Sequence, residues 1–243
     1  MRGFHYISSM REFYSPRTPR AALMAAEANI LPIEAFAYKA ASVKPLFEEP
    51  YDLDDLEQFL AQPNLDFAGA MMLSEIFVAM TRAGDKERAL FAAESLTSLE
   101  DRWARKVDEA RRHAAGERAE RSFLLGRSLY ERALVAGRTA AIRDHYLREA
   151  LHFLDEVFGS GTAGPAFALL IRCLVRLGEL DEAEARLAPG LGRGDDGEVL
   201  ALAVEIAYLR KDVHRIAELL HGKDLDGLAL DEGVRGILSF WQA

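Results

Sequence analysis

One stretch constrains the fold more than any other: GPAFALLIRCLVRLGELDEAEARLAPGL, from Gly164 to Leu191. Phe167, Leu170, Ile171, Leu174 and Leu177 recur at i, i+3, i+4 and i+7, one stripe of a helix with 3.6 residues per turn. Gly178 follows the last apolar residue, where a left-handed cap costs a glycine least. Asp181 and Glu182 then fall in the first turn of a second helix and complement its dipole. Leu180, Ala183 and Leu187 share one side of it, and Pro189-Gly190 is the expected stop. Two short amphipathic helices of this kind form a hairpin that cannot bury its own apolar face. It therefore needs neighbouring hairpins, either in a stack or in an ordinary bundle.

Small Ala183 lets the first helix approach the second closely, with Leu170 and Leu174 beside it. In this respect the stretch resembles a tetratricopeptide repeat, whose pattern is W-x2-L-G-x2-Y, then A-x3-F, then P, at a period of about 34 residues. Phe167 stands at the Trp position, Leu170 at Leu, Ile171 at Gly, Leu174 at Tyr, Ala183 at Ala and Leu187 at Phe. A shift of 34 gives Ala201, Val204, Glu205, Tyr208, Ala217 and His221, of which Tyr208 and Ala217 match well and Glu205 and His221 poorly. Upstream, Leu73, Ile76, Phe77, Met80, Gly84 and Ala89 repeat the layout, with Ala93 at the Phe position. No copy has the full Trp-Leu-Gly-Tyr set or the closing proline. The resemblance implies an all-α fold, a right-handed superhelical stack of antiparallel helix hairpins (an α-solenoid).

Composition agrees with helices. Half of the 243 residues are apolar, which argues against disorder. Ala, Leu, Glu and Arg, all good helix formers, dominate, and alternating Val, Ile and Thr runs are absent. The net charge of −9 disfavours a nucleic-acid partner, which calls for a basic face. The single cysteine, Cys173, excludes an intramolecular disulfide and reads as a small buried apolar residue. No run of about 18 uncharged apolar residues is present, so no membrane insertion is expected. No signal-peptide pattern is evident, and the expected location is cytoplasmic.

Taken in order, residues 1–19 read as an irregular, mildly basic arm, and residues 20–158 as a first set of helical hairpins. Residues 20–29 and 33–43 pair as small-residue helices, and Pro45 and Pro50 bracket a loop. Leu53, Leu56, Phe59 and Leu60 mark a short helix, with Asp52, Asp54 and Asp55 near its start. Residues 66–82 form the next helix, Gly84-Asp85 the turn, and a long helix begins near Lys86 with no stop before Gly116. Its later part, EDRWARKVDEARRHAAGERAER, interleaves charges as a solvent-exposed helix held by i,i+4 pairs does. Two longer helices follow, with Gly137 as their turn, and Leu125-Gly126 resembles the repeat family's Leu-Gly pair. GSGTAG, at 159–164, is the expected flexible break, and residues 165–243 hold the later hairpins and a terminal helix. There Trp241 is the expected anchor of a cap over the last hairpin.

Chemistry-bearing constellations are few. Asp144, His145, Glu149 and His152 lie on one helical face, and Glu149 and His152 fit Glu-x-x-His. The second Glu-x-x-His copy of a carboxylate-bridged bundle is missing, so ordinary surface pairing is the expectation and a helical metalloenzyme the least favoured alternative. No nucleophile elbow, dinucleotide loop or paired-cysteine motif appears. The chain is expected to be non-catalytic, without a cofactor. The repeat resemblance implies a concave groove along the first helices of the hairpins. The positions on it are Met71, Ser74, Val78 and Arg82; Ala168, Arg172, Val175 and Arg176; and Leu202, Ile206, Leu209 and Arg210. Arg82, Arg176 and Arg210 recur at one place in each hairpin, either as a ladder for carboxylates of an acidic peptide or as cations at helix C-termini. The functional expectation is a protein–protein scaffold or adaptor holding a protein or peptide segment. A subunit of a homo-oligomeric assembly is the competing reading.

Overall fold

The computed structural model describes residues 53–82, 84–112, 117–136, 139–159, 164–191, 197–230 and 232–242. The expected N-terminal arm, the hairpin at 20–43, the proline loop, the Gly137 turn, residues 160–163 of GSGTAG and residues 192–196 lie outside the described residues. Among the described residues the fold is all-helical and contains no strand. The helices are α1 (Leu53–Leu60), α2 (Phe67–Met80), α3 (Lys86–Arg112), α4 (Arg118–Ala136) and α5 (Ala140–Gly159). They continue as α6 (Pro165–Leu177), α7 (Leu180–Leu191), α8 (Gly197–Leu209), α9 (Val213–Leu220) and α10 (Glu232–Gln242). The chain divides into two compact units. Among the described residues, one comprises those up to Ala104 together with Leu134–Ala136, and the other comprises those from Arg105 to Ala133 and those after 138.

In the first unit the apolar stripes of α1, α2 and α3 meet. Leu56, Leu73, Phe77, Leu99 and Trp103 are buried in one cluster, and Phe77 meets Phe91 edge to face, centroids 5.9 Å apart. Asp66 caps α2 by accepting from the Gly69 N–H at 2.8 Å. Arg102 donates to the carbonyls of Leu60 (3.3 Å) and Pro63 (2.6 Å), closing the end of α1. Ser74, expected on the groove, is instead buried and donates to the Val135 carbonyl at 2.8 Å. The charged half of α3 also departs from the solvent-exposed expectation. Leu99 and Trp103, and Val107 on the part of α3 that belongs to the second unit, form a narrow buried stripe at i, i+4, i+8, while the charges flank it. A high overall charge hides a stripe only one residue wide.

In the second unit α5 packs on α6, and each helix from α6 to α9 packs on its successor. The alternate helices α6, α8 and α10 also touch in succession. The glycine-rich 159–164 stretch thus joins two helices that pack together within this unit. A Cβ added at Gly126 on α4 would lie 2.8 Å from Leu154 Cγ on α5. The glycine permits that close helix approach.

Gly178 ends α6 at φ +78, with the Glu179 N–H bonded to the Leu174 carbonyl (2.9 Å) and the Gly178 N–H to the Val175 carbonyl (3.1 Å). The turn after α8 repeats this pattern around Lys211 at φ +61, with Asp212 bonded to the Ala207 carbonyl (2.9 Å). The two turns are 33 residues apart, not 34. The buried pair Ala183 and Leu187 of α7 is accordingly matched by the buried pair Ile216 and Leu220 of α9, and Ala217 is exposed. One residue is about 100° of helix, enough to exchange an inner for an outer position. Lysine in the left-handed region is strained where glycine is not. Lys211→Gly is therefore expected to stabilise the chain by about 0.5–1 kcal/mol in denaturant unfolding. The expected stop at Pro189-Gly190 comes two residues late: α7 runs through Pro189 to Leu191. A proline this near the end withholds one N–H from a turn that already frays, where the loss costs least.

Candidate binding groove

The outer face of α8 presents Glu198, Ala201, Leu202, Glu205 and Tyr208, one stripe at i, i+3, i+4, i+7 and i+10. Facing side chains of α10 are Val234, Ile237, Leu238 and Trp241, at i, i+3, i+4 and i+7. Together with Arg172 of α6 and Ala229 and Leu230 of the preceding loop, they line an open cavity of ≈ 640 Å³. Leu238 is buried and Trp241 half-buried against the α8–α9 core, and the Trp241 ring lies 5.9 Å from that of Tyr208. Large apolar side chains of the lining remain in solvent, Tyr208 57% and Ile237 61% exposed, and Phe240, whose ring meets that of Trp241, is 75% exposed. Trp241 therefore anchors α10 as its position suggests, while Phe240 beside it does not join the core.

Polar contacts hold the walls in place. Gln242 Nε2 donates to the carbonyls of Leu220 (3.1 Å) and Lys223 (2.8 Å), satisfying groups at the end of α9. Arg235 donates to the Leu228 carbonyl at 3.2 Å. At the start of α8, Gly197 leaves space that a Cβ would contest, 2.8 Å from Leu230 Cδ2 and 3.1 Å from the Ala229 carbonyl. The loop closes against α8 there because no side chain intervenes.

The expected groove residues are distributed differently. Arg172 and Leu202 line the cavity, but Leu202 and Ile206 are each 2% exposed and belong mainly to the core. Arg172 pairs with Glu198 at 3.2 Å, and the Arg176 guanidinium meets the Tyr130 hydroxyl. Arg210 pairs with Asp181 and with Glu184 (3.2 Å) of the preceding hairpin. Arg82 lies exposed in the turn after α2, in the first unit. The 33-residue register carries Arg172 onto Glu205 and Val175 onto Tyr208. Those two residues of α8 line the groove where the 34-residue shift selects Ile206 and Leu209. The signal for them is the spacing of the two chain reversals rather than the apolar pattern.

The histidine face does not converge. Glu149 pairs with Arg111 at 2.7 Å, and His152 is exposed, 3.9 Å from Glu156. Among the described residues no three His, Cys, Asp or Glu side chains come together to hold a metal ion. Glu156 is held below its usual range, first by the Ser122 hydroxyl and then by Arg118 against some desolvation. Nor is any described helix long and apolar enough to cross a membrane.

Cys173 is buried in α6, and desolvation pushes its thiol from 9.0 up to about 12. Because the folded value is the higher one, the associated stability is present below pH 9 and is lost as pH rises toward 12. By pH 11 the loss is expected to be on the order of 2–3 kcal/mol. Cys173→Ala should remove that part of the alkaline slope in urea unfolding. Tyr130 is shifted upward too, by burial against the opposing pull of Arg176, so it adds a slope of the same sign that persists in the variant. A slope identical in both chains would place the thiol in solvent.

Comparison of the chain with family models, with curated proteins and with solved structures finds no match.

Proposed function

We propose that this chain is a non-catalytic cytoplasmic scaffold or adaptor whose second unit stacks tetratricopeptide-like hairpins in a right-handed superhelix and holds a segment of a partner protein. The observation that carries this reading is the α8–α10 groove. It is open, its walls are largely apolar, and Tyr208 and Ile237 in those walls stand uncovered. Exposing such side chains together costs solvation that a partner would recover. Aromatic residues beside an apolar cleft are the usual centres of binding energy. The internal pairing of Arg172, Arg176 and Arg210 gives these cations a role within the unit and shifts the weight of binding onto the apolar walls.

Tyr208→Asp and Ile237→Asp test the proposal. Both positions are exposed, so helicity by circular dichroism should be unchanged. Each variant should lose the same partner from a pull-down of the source cell, with affinity for that partner falling about 30-fold or more. Undiminished capture by both variants would refute the groove as the binding surface.

The oligomer reading draws on the same residues, since Ile237 and Phe240 form an uncovered i, i+3 pair on α10. Sedimentation separates the two: a monomer that retains partner capture favours the scaffold.

A further inference from the structure

We propose that the groove's occupant is a short amphipathic α-helix of a partner protein, bearing a lysine or arginine at the border of its apolar face opposite Glu205. The inference rests on the groove being the binding surface. Three observations select this occupant. The first is charge. The lining holds one cation and two carboxylates, and Arg172 is taken up by Glu198 at 3.2 Å. Among the described residues Glu205 has no hydrogen-bond or ion-pair partner. The charge left over in the groove is negative, so the complementary occupant is basic, unlike the acidic peptide that an arginine ladder calls for.

The second is the supply of backbone partners. Both long walls are helices, whose main-chain groups are already bonded within themselves. No asparagine or glutamine lines the cavity. An extended peptide would bring unpaired N–H and C=O groups against apolar walls, a costly burial. A helical segment satisfies its own backbone and presents only side chains.

The third is length. The α8 stripe from Glu198 to Tyr208 spans ten residue steps, about 15 Å of helix axis. That matches anchors at i, i+3 or i+4, and i+7 on a helix of two to three turns.

Trp241 supplies the readout. The chain has two tryptophans, and Trp103 is fully buried, so emission changes on ligand addition report Trp241 in the groove. Three synthetic peptides of about four helical turns are titrated: one with leucines at the anchor spacing and border lysines, one with border glutamates, and one with lysines and a central proline. The lysine helix should bind best. Glu205→Lys, at an exposed position, should weaken it about five- to tenfold and favour the glutamate helix instead. Equal binding of both charge forms, or equal binding of the proline peptide, would overturn the choice of occupant while leaving the groove as a binding surface. If no peptide perturbs Trp241, the groove reading fails with it. A wild-type dimer in sedimentation, made monomeric by Ile237→Asp, would identify a second copy as the occupant and overturn the proposal.

Discussion

Trp103→Ala is expected to destabilise the first unit by about 3–5 kcal/mol, the range for emptying the space of a large buried aromatic. Trp103 is the largest fully buried side chain of the described residues and shares its cluster with Leu56, Leu73, Phe77 and Leu99. Arg102 and Arg105 flank the Trp103 stripe in sequence, and the buried positions of that stripe are Leu99, Trp103 and Val107. Leu99 and Val107, one turn to either side in the same stripe, are themselves fully buried, and neither matches the volume of an indole, so relaxation offsets only part of the loss. The same substitution removes one of two tryptophans, so the transition is followed by circular dichroism in denaturant. A loss below about 1 kcal/mol would show that α3 turns its charged face to the cluster, as a wholly solvent-exposed helix would.

Leu170→Ala carries the second large effect, about 3–4 kcal/mol within the range for a buried leucine. Leu170 is fully buried on α6, the helix that packs on α5, α7 and α8. A cavity at this crossing weakens the contacts of α6 with three neighbours at once, whereas the end helix α10 has two. Ala183 on α7 is likewise fully buried, and its single methyl cannot refill the space. The expected signature is a lower urea midpoint with an unchanged slope. An effect no larger than that of an exposed leucine such as Leu90 would contradict the packing described for α6.

The hairpin from Pro165 to Leu191 is legible in sequence because its signals are local. An apolar stripe, a glycine at the reversal and acids in the next first turn all lie within 27 residues, and each appears where the spacing puts it. Trp103 shows where that logic weakens. The buried stripe of α3 is one residue wide among charges, so composition reads as exposure. The groove depends on a finer quantity, the length of a repeat. Counting 34 selects Leu202, Ile206 and Leu209, of which only the buried Leu202 borders the cavity, and counting 33 selects Ala201, Glu205 and Tyr208, which all line it. Apolar patterning could not decide between them, because α8 is apolar nearly all round: Leu200, Leu202, Ala203, Val204, Ile206 and Ala207 are all buried. The partners of the arginines were not legible at all. Arg172 finds Glu198, and Arg210 finds Asp181, on different helices. Those pairings follow from tertiary packing and not from any local spacing.

These placements give the chain a division of labour. Caps and reversals such as Gly178 and Asp212 fix the hairpins, since each satisfies backbone groups that the helix ends leave open. Internal ion pairs occupy Arg172 of α6 and Arg210 in the turn after α8. What is left uncovered is a cleft with apolar walls and one unmatched carboxylate.

Hydrogen exchange of the chain with and without its captured partner locates the binding surface on the helices themselves. Added protection should be confined to α8 and to the segment from Ala229 through α10, the two walls of the groove. Protection elsewhere, with those two segments exchanging as they do in the free chain, would contradict that placement.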